Sequence, residues 1–123
     1  MALHSDLAIY RSGVLLLDLA YKIQAQMPRR AQRHLGDKIT YRCSEMLDCM
    51  AMANATRGEE RVWHLDELFK HERALTALLR VCHESGSHYL SHKLWAQSVL
   101  LLSNVGKQAG GWKKSASNKA PAA

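Results

Sequence analysis

At 123 residues the chain is long enough for one domain that buries roughly two thirds of its unfolded surface, with no need of metals or disulfides. Its cysteines, Cys43, Cys49 and Cys82, form no CxxC pair and leave one over in any disulfide scheme, which suits a reducing cytosol and small buried hydrophobes. Lys and Arg number 17 against 11 Asp and Glu, no apolar run approaches the roughly 18 residues of a membrane span, and MALHSD lacks the basic start of a signal peptide, so a cytoplasmic protein is expected.

Four helices emerge in chain order, over about 5–27, 29–56, 59–84 and 87–109. In the first, after a Ser5 cap, Leu7, Tyr10, Val14, Leu17 and Tyr21 step along one stripe until Pro28. In the second, Leu35, Ile39, Cys43, Met46, Met50 and Ala53 make the core stripe, and Gly58 supplies the stop. The third opens on Glu59 and Glu60, which suit the positive end of the helix dipole, and runs through Leu65, Leu68, Leu75, Leu79 and Cys82, with Glu72 inside the stripe.

The fourth begins near Ser87 and carries Leu90, Leu94, Leu101 and Val105, widened by Trp95, Leu100 and Leu102. It is expected to stop at Gly110 or Gly111 in a positive-φ cap, with Gly106 admitting a close neighbour and Trp112 folding back on the last turn. Breaks this short force antiparallel neighbours, so residues 1–112 should form an all-α, up-down-up-down four-helix bundle and 113–123 a disordered basic tail. LLLDLAY and LWAQSVLLL place leucines outside the core stripes as well as within them. Self-association or a protein partner is expected to cover the surplus.

Positive charge is segregated. Residues 29–57 hold six basic and three acidic side chains, 58–86 four and six, and 87–123 five and none. A surface field of this kind attracts nucleic acid or acidic proteins, while a solubilising surface explains it about as well. PRRAQRH places Arg29, Arg30, Arg33 and His34 at the start of the second helix, where cations oppose the helix dipole, so stability alone does not account for them. Arg73 and Arg80 share a face of the acidic third helix, equally ready for phosphate or for that helix's own acids. Helix capping explains Lys107 but not Lys113 and Lys114 beyond the glycines. The three tryptophans form no stacking motif, so binding should be to phosphate, with weak sequence preference and steep salt dependence.

Seven histidines raise the question of a metal, but no Glu-x-x-His occurs, and the pairs Glu60/His64, Glu67/His71 and His88/His92 are also ordinary polar-face composition. Nothing flanking the cysteines marks a lowered thiol pKa, and no phosphate-cradling loop appears. An enzyme or metal carrier built around the histidines, Glu72 and the cysteines is therefore the weaker reading, and neither catalytic residues nor cofactors are expected.

PRR before His34-Leu35-Gly36, LTALLRV on the third helix, YLSHKLW opening the fourth and VGKQAGGWKKS closing it resemble the Avd family, the accessory variability determinants of diversity-generating retroelements. The resemblance spans roughly residues 7–115, and its most specific part is the Gly-Lys-Gln and Gly-Gly-Trp ending. It implies a four-helix bundle assembled into a homopentameric barrel, basic outside and without a catalytic site. Such a barrel partners a reverse transcriptase that copies template RNA into mutagenised cDNA. Carried onto this chain, the basic residues within matching motifs are Arg29, Arg30, Arg33, Arg80, Lys107, Lys113 and Lys114. Ala109 and Asn104 depart from the family pattern at the end of the fourth helix. Bundle proteins encoded by intervening sequences of ribosomal RNA genes share much of the helical pattern and are the alternative, as is a protein-only adaptor.

Overall fold

A computed structural model describes residues 7–85 and 89–119. Four helices pack side by side: α1 spans Ala8–Gln26, and α2 runs through Arg29–Ala31, a π-turn at Gln32–Gly36 and Asp37–Ala55. The third, α3, spans Gly58–Glu84, and α4 spans His92–Lys119. Each packs on its sequence neighbours and α1 closes against α4, which makes an up-down-up-down four-helix bundle. Ser5, the expected cap of the first helix, and Ser87, near which the fourth is expected to begin, lie outside the described residues. Within the described chain, α4 begins behind Ser91, whose Oγ accepts from the Leu94 N–H at 3.2 Å.

The core is continuous through all four helices. Ile39, Cys43, Met46, Met50 and Ala53 of α2 meet Leu65, Leu68, Leu75, Leu79 and Cys82 of α3, and both stripes are those the periodicity predicts except at Leu35, which is only partly buried. Gly58 takes φ 57°, a conformation that disfavours a side chain, where the chain turns from α2 into α3. Arg61 ties this corner by donating from Nε to the Ala53 carbonyl at 2.7 Å, satisfying an acceptor freed by the end of α2.

Three expectations are corrected. In α1 the buried stripe is Ile9, Gly13, Leu16, Leu19, Ala20 and Ile23, whereas Val14 is 37% and Tyr21 57% exposed. A helix apolar on most sides offers two stripes. Gly13 decides between them, because a Cβ there would lie 2.7 Å from Leu47 Cδ2, so the helices approach closely along the glycine.

Second, α4 does not stop at Gly110 or Gly111 but continues to Lys119, so residues 113–119 are helix rather than a structureless tail. Ser98, Leu102, Val105, Ala109 and Ala116 are buried at helical spacing, and that stripe carries the helix past glycines that only weaken it. Gly58 is the positive-φ glycine of the described chain. Trp112 accordingly does not fold back: it sits in mid-helix against the core, its ring 5.4 Å beneath the Arg61 guanidinium.

Third, the start of α2 is not a regular helix. The Asp37 N–H reaches the Gln32 carbonyl five residues back, so the π-turn inserts one extra residue just after Arg29 and Arg30, in a stretch that itself carries Arg33 and His34.

Candidate nucleic-acid interface

Pro28 leads into α2 with φ −57° and ψ 150°, and Arg29 follows in the first turn. The Gln32 N–H closes that turn on the Pro28 carbonyl at 3.0 Å. Within this short stretch Ala31 is buried, while Arg29, Arg30, Arg33 and His34 are all exposed and together line a concavity of about 350 Å³. Its lining contains no carboxylate, so an anion entering it meets cations without competition.

The other predicted residues form a second, mixed-charge region. Arg73 and Arg80 lie on one face of α3, where Glu72 and Glu84 share the lining of a cavity of about 520 Å³. Neither arginine forms a salt bridge among the described residues. Arg80 and Lys107 also line one groove between α3 and α4, a space of about 570 Å³ lined as well by Trp95, Val99, Leu102 and Glu72. Burial pushes the Glu72 carboxyl up, partly offset by Arg73.

Lys113 stands apart, because its Nζ pairs with Asp66 Oδ1 at 2.7 Å, an exposed contact worth little in stability but one that occupies the ammonium. Lys114 is exposed on the same last stretch of α4. Antiparallel packing puts the start of α2 and the end of α3 at one end of the bundle, and Lys113 and Lys114 toward the other. The eight predicted cations are thus not one patch. The geometry joins Arg29, Arg30 and Arg33, with His34, into one group, and Arg73, Arg80 and Lys107 into another.

Two of the three tryptophans are engaged across helices. Trp95 stacks on His83 with centroids 4.9 Å apart, Trp112 lies under Arg61, and Trp63, itself exposed, meets His64 edge-on at 5.0 Å. His71 Nδ1 accepts from Arg42 Nη1 at 3.0 Å. No group of three or more His, Cys, Asp or Glu side chains that could hold a metal ion occurs among the described residues, and His88 lies outside them. Desolvation pushes the Cys43 thiol up to about 12 and Cys49 to about 11, and raises Cys82, so the thiols stay protonated and poorly nucleophilic at neutral pH.

Sequence reasoning misses Arg61, which links the end of α2 to Trp112, and Gln24, which holds the π-turn beneath the arginines. Both act across helices, and each is an ordinary polar residue in its local sequence.

A four-helix bundle with a cation-lined surface at one end and, among the described residues, cysteine thiols kept protonated by burial is the class these features define. The chain belongs to the bAvd-like family, whose model matches residues 11–116. No curated protein and no solved structure matches it. Of the two families the sequence resembles, the match is to the first.

Proposed function

We propose that the chain is a non-catalytic accessory subunit of a diversity-generating retroelement, binding the reverse transcriptase and its template RNA and cDNA through basic surface to support mutagenic reverse transcription. Family membership supports the system, and one observation carries the site: Arg29, Arg30, Arg33 and His34 line one concavity without an acid among them. Guanidinium groups take phosphate oxygens in bidentate fashion, and polyanion binding releases counterions, so affinity comes from backbone charge rather than base identity. No Trp, Tyr or Phe lines the arginine concavity, so nothing there stacks on bases as those rings would.

The exposed Leu15 and Leu100, which line one groove, fit the self-association that a homo-oligomer requires, with a pentameric barrel as the family resemblance has it. Arg73, Arg80, Lys107 and Lys114 extend the basic surface toward the reverse transcriptase or the nucleic acid, while Lys113 joins only if it gives up Asp66.

Replacing Arg29, Arg30 and Arg33 by glutamate tests this. Affinity for single-stranded RNA should fall, and the log–log salt slope should shrink by about two, roughly 0.7 per phosphate contact, with helicity and oligomer mass unchanged. Dissociation of the oligomer instead would make these arginines interface residues and remove the reading.

A further inference from the structure

The core stripe of α2, followed backward from Ala53, passes through Met50, Met46, Cys43, Ile39 and Gly36 in steps of three and four. A regular α-helix would continue the stripe to 32 or 33 and then to 29, turning Arg29 and its neighbours against the bundle. The next buried position is instead Ala31, five residues before Gly36, followed by Met27. The extra residue of the π-turn accounts for the difference. It rotates the preceding segment by about 100° relative to the rest of α2, which is the turn per residue of an α-helix. Ala31 thereby faces inward and Arg29 outward, into the concavity that Arg30, Arg33 and His34 also line.

A π-turn is less favourable than regular helix and needs support. Gln24 of α1 supplies it. Its Nε2 donates to the Gln32 carbonyl at 3.0 Å and to Asp37 Oδ1 at 2.8 Å, bracketing the turn at both ends. Gln32 in turn donates from Nε2 to the Met27 carbonyl at 3.0 Å. Gly36 makes room, since a Cβ there would fall 2.8 Å from Gln24 Nε2. Gln24 is not among the residues lining the basic concavity, and it belongs to a different helix from the arginines.

We propose that Gln24, seated on Gly36, is a positioning residue for the anion site: it holds the π-turn that carries Arg33 and His34 and turns Arg29 out of the core stripe, so that Arg29 shares one concave surface with them and Arg30. The inference rests on the reading above, that this surface binds nucleic-acid phosphate.

The test uses the full chain and a fluorescein-labelled oligouridine, with Gln24→Leu and Gly36→Ala as two routes to the same loss and neither altering a charge. Each should weaken RNA binding by about tenfold at low salt, in proportion to lost phosphate contacts, while circular dichroism stays helical. In an Arg29→Ala background, Gln24→Leu should cost less than about twofold more, because the contact it orients is already gone. A purely structural role would instead give the same loss in both backgrounds, and that result overturns the inference. Weaker binding in the arginine-to-glutamate protein with none in either Gln24→Leu or Gly36→Ala overturns the inference alone. No loss in any of the three removes the phosphate reading and the inference with it.

Discussion

Glu72 lies half-buried between α3 and α4, with Oε2 lacking a hydrogen-bond partner among the described residues and Gly106 opposite it. A Cβ at position 106 would stand 3.4 Å from that oxygen, so the glycine there leaves room for the carboxylate, as the sequence suggests it should for some neighbour. Because burial raises the folded-state pKa of Glu72, the native state carries no penalty below the ordinary carboxylate range, where the group is neutral folded or unfolded. The penalty grows as pH rises through the folded-state value. Glu72→Gln should therefore stabilise the protein at neutral pH, by up to about 1 kcal/mol given its partial exposure, and by nothing near pH 3. Thermal melts at the two pH values measure the difference. A gain that persisted unchanged at pH 3 would show that charge was not the cause.

Among the helices, the fourth shows how local and tertiary signals compete. The Gly110-Gly111 pair reads locally as a stop, yet both residues lie inside α4 with negative φ, and no heavy atom lies within 4 Å of an added Cβ. Each should then behave as an interior helix glycine. Gly110→Ala and Gly111→Ala should each raise stability by about 0.5–1 kcal/mol, read as a higher Tm. A cap glycine at positive φ would respond with a loss of that size or more.

The stripes of α2 and α3 were legible because their apolar positions admit a single phase. That of α1 was not, since leucines surround the helix and the choice between stripes falls to Gly13 against Leu47 and Met50. The π-turn was invisible for a related reason. Its hydrogen bonds come from Gln24 on another helix, and nothing in QRHLG itself calls for a wider turn. The candidate site was legible as a list of cations but not as a surface. Sequence adjacency keeps Arg29, Arg30 and Arg33 together, whereas only the packing of α3 on α4 joins Arg80 to Lys107, and only Asp66 removes Lys113.

For the whole molecule, the arginine concavity and the groove of Leu15 and Leu100 share no lining residue. Leu100 is 64% exposed on α4, with Leu15 of α1 lining the same groove, while the cation-lined concavity sits at the start of α2. An assembly that buries the first and presents the second would concentrate phosphate-binding sites on one particle, raising avidity for RNA beyond that of a single copy. The measurement that tests this most directly is the native mass of the material purified after co-expression with the cognate reverse transcriptase and template RNA. The account predicts one particle holding several copies of this chain with the enzyme and the RNA, the RNA leaving as salt is raised. A 13.8 kDa monomer, carrying neither enzyme nor RNA at low salt, would contradict it.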